Sequence, residues 1–327
     1  MDPSPGARLG KFTVVVTEPI HQAGIDLLEG RGVEVISLPP GSDIDALREV
    51  APRADGFITR GSIKVTREIM ASSPRLKAVG VHGIGCDHVD LEAARELGKV
   101  VLNTPTALTE TVAEMAMALM LSMTRRVVSA DKAVRAGEWS RKYGDLRGVE
   151  VMGKTVGLIG LGKIGTATAR RLKPFGVELV YHSRTRKADL EEELGMEWAS
   201  FEELLGRSDI ISLHVPHSPE TYHMLSSAEF EMMKDGVYIV NSARGKIVDQ
   251  EALFEALRSG KVAGAALDVF EVEPLPHGDV LASMDNVILT PHLGASSQEA
   301  MWRMATQVAE GVLRVLNGER PDFPVVN

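Results

Sequence analysis

The sequence predicts an α/β protein made of two doubly wound parallel-sheet domains. Three observations predict it. Short apolar runs alternate with helical segments from Lys11 to Leu102. A second alternation of the same kind starts at Lys154, after a long helical stretch. That second alternation opens on Gly160, Gly162 and Gly165, spaced G-x-G-x-x-G between an apolar run and a helical one. Continuous apolar strands separated by helices are the mark of parallel sheets covered on both faces.

Taken in order, Met1 to Gly10 is rich in Pro and Gly and reads as a tail, not a signal peptide. Strands are expected at 11–17, 33–36, 56–59, 76–81 and 100–102, with helices at 23–29, 44–50, 66–71 and 91–97. Polar loops follow two of these strands. Arg60-Gly61-Ser62-Ile63-Lys64 follows the third and His82-Gly83-Ile84-Gly85-Cys86-Asp87 follows the fourth. Ligands of open parallel sheets bind beyond the carboxyl ends of the strands. Gly83 and Gly85 let backbone N–H groups close on an anion, although a plain glycine-rich turn reads the same way.

Pro105 breaks the pattern, and one long helix is expected from Thr109 to Ala136 with Thr109 as its cap and Gly137 as its stop. Residues 138–153 read as a polar connector or arm. The second alternation then has strands at 156–159, 176–181, 210–214, 237–240, 263–268 and 286–290, and helices at 167–172, 201–205, 227–233 and 250–259. A long amphipathic helix, 297–317, closes the chain.

The glycine fingerprint has the strand–turn–helix context that a dinucleotide site requires. Gly160 makes the tight turn, Gly162 admits a pyrophosphate, and Gly165 lets helix and strand pack closely. The pyrophosphate lies on N–H groups at the helix N-terminus. The next strand speaks to the cofactor. An NAD site places Asp or Glu roughly 20 residues past the first glycine to bind the ribose hydroxyls. Here His182-Ser183-Arg184-Thr185-Arg186-Lys187 offers hydroxyls and cations and no carboxylate. Such donors suit a 2′-phosphate, so NADP(H) is expected, with NAD(H) as the alternative.

A net charge of −9 argues against nucleic-acid binding, which wants a basic face. The most apolar run, 113–123, is too short to span a bilayer and is interrupted by Glu114, so no membrane role is expected. The single cysteine, Cys86, has no partner for an internal disulfide and no metal-ligand spacing; it fits a reducing compartment, and the expected location is the cytoplasm. No metal site is expected.

Three polar residues follow strands of the second domain: Arg244, Glu273 and His292. The segments around Gly160, Asn241 to Gly245, Leu267 to Pro274 and Thr290 to Gly294 together resemble the D-isomer-specific 2-hydroxyacid dehydrogenases, and the resemblance runs over nearly the whole chain. It implies hydride transfer between a nicotinamide cofactor and a small 2-oxo or 2-hydroxy acid. His292 then donates the proton, which suits a side chain that titrates near neutrality. Glu273 orients His292 and favours its charged form. Arg244 pairs with the substrate carboxylate and polarises the carbonyl.

The resemblance further implies that Leu161, Gly162, Lys163 and Ile164 bind the pyrophosphate and that Ser183, Arg184 and Thr185 meet the 2′-phosphate. His214, Val215, Pro216 and Thr221 match the adenosine side, Asp268 and the Ala243 carbonyl the nicotinamide amide, and Thr109 and Gly294 lie near the cofactor. Arg60, Ser62, His82 and Gly83 line the substrate side, where the N–H groups of Ile84 and Gly85 hold the carboxylate. The implied architecture is a discontinuous flavodoxin-like substrate domain, 1–103 plus 293–327, and a Rossmann cofactor domain, 104–292, with a cleft between them and a homodimer formed through 105–150. The loop from Arg60 is similar to that of phosphoglycerate dehydrogenases, while His182 to Lys187 resembles the archaeal-type glyoxylate and hydroxypyruvate reductases. The latter substrates are expected, with 3-phosphohydroxypyruvate second and a nucleotide-sensing corepressor the distant alternative.

Overall fold

The computed structural model describes residues 12–326; the expected tail at 1–10 and Lys11 of the first expected strand lie outside them. The chain divides into two compact units, Met1–Leu108 with Ala295–Asn327, and Thr109–Gly294. The division falls a few residues later than the sequence suggests at both crossings.

The first unit begins with β1 (Thr13–Val16), α1 (Gln22–Gly30), β2 (Glu34–Ser37), α2 (Ile44–Val50), β3 (Gly56–Thr59), α3 (Arg67–Ala71), β4 (Ala78–Val81), α4 (Leu91–Glu96) and β5 (Val100–Leu102). β1, β3 and β4 are buried along their whole length, as continuous apolar runs in a covered parallel sheet must be. Side chains cap the helices where the sequence offers them: Asp43 caps α2, Thr66 caps α3 and Asp90 caps α4.

The second unit runs α5 (Thr109–Thr124), α6 (Val127–Arg135), β6 (Thr155–Ile159), α7 (Lys163–Leu172), β7 (Glu178–His182), α8 (Ala188–Leu194), β8 (Glu197–Trp198), α9 (Phe201–Arg207), β9 (Ile210–Leu213), α10 (Ser227–Met232), β10 (Val237–Asn241), α11 (Gln250–Ser259), β11 (Val262–Leu267) and β12 (Val287–Leu289). The chain then returns to the first unit with α12 (Gln298–Leu316) and β13 (Pro324–Val326). No helix among the described residues is long and apolar enough to cross a membrane.

The first sheet has the order β13-β5-β4-β3-β1-β2 and the second β12-β11-β10-β9-β6-β7-β8. Apart from the antiparallel edge strand β13, which pairs with β5, the first is the flavodoxin-like order. The second carries the Rossmann order, extended by one strand at the β12 edge. α12 closes the first unit: Val308, Ala309 and Val312 are fully buried, and the glycine at Gly24 brings α1 so close that a Cβ there would lie 2.7 Å from the Ala305 carbonyl.

Four expectations need correction. The single helix over 109–136 is two helices, because Arg126 turns left-handed at φ 55°. The Thr124 carbonyl at the end of α5 takes the Val149 N–H at 2.8 Å, which satisfies it without a further helical turn. Thr109 is therefore the first residue of α5 rather than a residue before it. α7 starts at Lys163, so Gly165 lies inside the helix and not ahead of it. α8 and β8 were not expected: α8 is mostly charged, and only Leu194 of it is buried.

Candidate active site

In the second unit the fingerprint glycines are placed by contact. Gly160 has φ 95°, which L side chains rarely adopt, and a Cβ there would lie 2.8 Å from the His214 backbone. A Cβ on Gly165 would lie 2.2 Å from the Gly160 carbonyl oxygen, so the first turn of α7 packs directly on the strand exit. Gly162 is different: its Cβ direction is open, and no side chain caps the helix that follows it. An open glycine and an uncapped helix N-terminus leave room for a phosphate group against backbone N–H donors. These residues fit a dinucleotide. Lys163, Leu161 and Ile164 flank the same turn.

The next strand exit sorts its cations. Arg186 is committed to Glu191, at 2.7–3.2 Å, and the Tyr181 hydroxyl donates to the same carboxylate at 2.8 Å while accepting from the Lys187 N–H. The Ser183 hydroxyl donates to the Thr185 carbonyl at 2.7 Å, which folds the loop on itself. Arg184 is exposed on this loop. Across the neighbouring exit, burial pushes His214 down to about 4, and its Nε2 meets the Ser212 hydroxyl at 3.0 Å. The Thr221 hydroxyl donates to the Pro216 carbonyl at 2.7 Å, closing the segment that Val215 begins.

Arg244, Glu273 and His292 each leave the sheet on their own loop. Asn241 braces the first, donating to the Arg244 carbonyl at 2.9 Å and accepting from the Ala243 N–H at 3.0 Å. Arg244 Nη1 donates to the Ala243 carbonyl at 2.7 Å, so the carbonyl expected for the nicotinamide is engaged by the arginine here. Glu273 Oε1 accepts from the Phe270 N–H at 3.0 Å, and Oε2 lies 2.7 Å from His292 Nδ1. Burial alone would raise the Glu273 pKa, but the His292 contact and the Phe270 amide together hold it below the ordinary range. The carboxylate therefore stays ionised beside the imidazole. With Nδ1 turned to Glu273, Nε2 is the nitrogen left for a substrate.

His292 sits at φ 53°. Asp268 explains how the chain holds it there. This fully buried carboxylate accepts from the Thr290 hydroxyl at 2.6 Å, the Leu293 N–H at 2.8 Å and the Gly294 N–H at 2.7 Å, and its own carbonyl accepts from the His292 N–H. Expected at the nicotinamide, Asp268 serves in this structure as the brace of the His292 turn.

In the first unit, one residue that the sequence reading missed organises the loop after β3. Glu18 accepts from the N–H groups of Arg60 at 2.8 Å, Ser62 at 2.7 Å and Ile63 at 3.2 Å, and from the Thr17 hydroxyl. Burial would raise its pKa, but these four donors hold it below the usual value. The signal was present: a carboxylate directly after β1, at the strand ends where ligand loops lie. Arg60 reaches the Pro19 carbonyl at 2.7 Å and the Met301 sulfur at 3.8 Å.

His82 departs from expectation. It is 4% exposed, and neither ring nitrogen has a hydrogen-bond partner among the described residues. Burial, reinforced by the Arg60 charge, pushes it down to about 4, so the ring is held neutral. The backbone beside it matches the anion reading better. The Gly83 carbonyl accepts from Thr104 and the Ile84 carbonyl from Asn103 Nδ2 at 2.8 Å. In a planar trans peptide the following N–H points the opposite way. The amides of Ile84 and Gly85 are thus turned away from 103–104.

Residues 117–294 match the family model described as the D-isomer specific 2-hydroxyacid dehydrogenase, NAD binding domain. The chain is 44% identical over 318 residues to a glyoxylate reductase of Thermococcus gammatolerans, covering 95% of each. It is 42% identical over 308 residues to a D-3-phosphoglycerate dehydrogenase of Methanocaldococcus jannaschii, covering 94% of this chain and 58% of that one. Among solved structures, it aligns to an NADPH-dependent glyoxylate/hydroxypyruvate reductase of Sinorhizobium meliloti, in complex with NADP and malonate. That match has a TM-score of 0.86 and 31% identity and covers 97% of each chain.

Proposed function

This chain belongs to the D-isomer-specific 2-hydroxyacid dehydrogenase family, and we propose that it reduces glyoxylate and hydroxypyruvate to their 2-hydroxy acids with NADPH. The observation that carries the reading is the 2.7 Å contact between Glu273 and His292. It supplies an imidazole held in one orientation by an ionised carboxylate. When bound, the reduced nicotinamide supplies the hydride that the carbonyl carbon receives. His292 donates a proton from Nε2 to the oxygen as it gains charge. Arg244 pairs with the substrate carboxylate and stabilises that charge. The outward-turned amides of Ile84 and Gly85 are assigned to an acid's carboxylate.

NADPH is preferred over NADH because the loop offers exposed cations and no carboxylate to the ribose, with Arg184 assigned to the 2′-phosphate while Glu191 engages Arg186. Ser183 and Thr185 shape the loop that presents it. Unphosphorylated acids are preferred because Arg60, which a phosphate would need, already serves Pro19 and Met301. A homodimer is supported by the exposed apolar residues of α6 and the arm: Val134, Trp139, Tyr143 and Met152 are 56–75% exposed.

The test is oxidation of NADPH and NADH, in parallel, with glyoxylate, hydroxypyruvate and 3-phosphohydroxypyruvate. NADPH with an unphosphorylated acid is the expected best pair. NADH with the phosphorylated acid as the best pair would overturn both preferences and favour the phosphoglycerate dehydrogenase reading.

A further inference from the structure

Arg244 and Glu273 stand on separate loops of the second unit, and something must hold those loops in register. Backbone stitching does part of it. The His223 N–H donates to the Lys246 carbonyl at 2.9 Å, Leu225 N–H to Ile247 at 3.1 Å, and Asp249 N–H to Leu225 at 2.9 Å. Gly245 packs on the other loop so closely that a Cβ would lie 1.9 Å from the Phe270 carbonyl group. The segment 223–225 therefore lies against the Arg244 loop, and the Arg244 loop against the one that carries Glu273.

The His223 side chain joins these layers. Its Nε2 lies 2.9 Å from Glu271 Oε1 without the angle of a hydrogen bond, and its Nδ1 lies 3.6 Å from Asp249 Oδ2, so both contacts are ion-pair proximities. Both carboxylates are themselves fixed. Glu271 Oε1 accepts from the Gln250 N–H at 2.9 Å, and Asp249 Oδ1 accepts from the Ala252 N–H at 3.0 Å as the cap of α11. The Tyr222 ring stacks on the imidazole at 4.0 Å between centroids, with 13° between planes. His223 also holds φ 48°, a left-handed conformation that costs energy in a residue other than glycine and persists only where its surroundings over-determine it.

We propose that His223 is a positioning residue for the reduction: through Asp249 and Glu271 it locks the Arg244 loop to the Glu273 loop and so sets the Glu273 carboxylate against His292. The residue acts through Glu271, two positions from Glu273, and the proposal rests on the catalytic assignment above. The nitrogen and oxygen atoms of His223, Asp249 and Glu271 lie within 4.8 Å of one another, which makes a cation the competing occupant. Each carboxylate already accepts a backbone amide, Glu271 through the same Oε1 that faces the ring, which leaves less of the set to a metal ion.

The experiment uses the full chain and four variants: His223→Asn, Glu271→Gln, Glu273→Gln and the double variant His223→Asn/Glu273→Gln. Asparagine tolerates the left-handed conformation, so it removes the ring and keeps the backbone. His223→Asn is expected to lower kcat about tenfold, in the range that misplacement of a catalytic group produces, while the Kd for NADPH stays within about twofold of wild type. Glu271→Gln should repeat that split. In the Glu273→Gln background, His223→Asn should cost no further kcat, because the group it positions is gone. Equal losses in both backgrounds, an unchanged kcat, or a loss of NADPH affinity in step with kcat would each overturn the proposal, as would zinc raising the Tm of the wild type but not of His223→Asn. If Glu273→Gln alone leaves kcat unchanged, the catalytic assignment itself falls; if it lowers kcat and His223→Asn does not, only the tie is overturned.

Discussion

His82 of the first unit and His292 of the second both stand just past sheet strands, and their surroundings are opposite. His82 follows β4, is 4% exposed, and is held neutral at about 4 by burial and by the Arg60 charge. His292 follows β12, its side chain is 49% exposed, and an ionised Glu273 lies 2.7 Å from it. A ring that burial keeps neutral holds no proton to give at ordinary pH, whereas His292 is open and faces an ionised carboxylate. Residue type and strand-end position are therefore not enough to assign chemistry. The partner and the water decide it.

The largest expected effect sharpens that comparison. Arg244→Ala should lower kcat for a 2-oxo acid by about 10²–10³, the usual loss when a group stabilising developing charge is removed. Steady-state rates over a range of acid concentrations check it, and a change confined to KM would move Arg244 out of the charge-stabilising role.

The second effect concerns stability. The folded-state pKa of His82 is depressed below its unfolded value of 6.5, so the unfolded chain binds the extra proton first. Stability is then full above 6.5 and is lost as pH falls toward about 4, by about 3 kcal/mol from this group if both states follow those values. Denaturation midpoints measured across that window should fall with pH in the wild type and fall less in His82→Leu. Equal slopes would mean that the ring is protonated in the native state.

Smaller effects probe the loops. Glu18→Ala removes the acceptor of three backbone amides at 60–63, and each orphaned amide costs about 1–3 kcal/mol where it stays buried. KM for the acid should rise several-fold with NADPH binding unaltered, as titration of each ligand would show. Arg184→Ala should raise KM for NADPH about tenfold, the equivalent of about 1.4 kcal/mol, and leave KM for NADH nearly the same. Equal changes for both cofactors would remove Arg184 from the 2′-phosphate.

Much of this was legible in the chain because it is local. β3, β5, α2 and α11 fall at the residues their apolar runs and caps mark, and the fingerprint glycines announce their turn. The Glu273–His292 pair was legible only through family resemblance, since 19 residues separate its members and no spacing rule joins them. What escaped depends on contacts distant in sequence. The end of α5 is set by Val149 reaching Thr124, the order of the 60–63 loop by Glu18 more than forty residues earlier, and the His292 turn by Asp268. The burial of His82 is likewise a tertiary fact that its strand-end position does not announce.

The most direct test is kcat for glyoxylate or hydroxypyruvate reduction by His292→Asn, measured beside His82→Asn at near-neutral pH. His292→Asn is expected to lose about a hundredfold or more, the worth of positioned proton donation, and still to bind NADPH. His82→Asn is expected to lose stability while holding kcat within about tenfold. Wild-type turnover by His292→Asn, or a greater loss of kcat in His82→Asn, would contradict the assignment of His292 as proton donor.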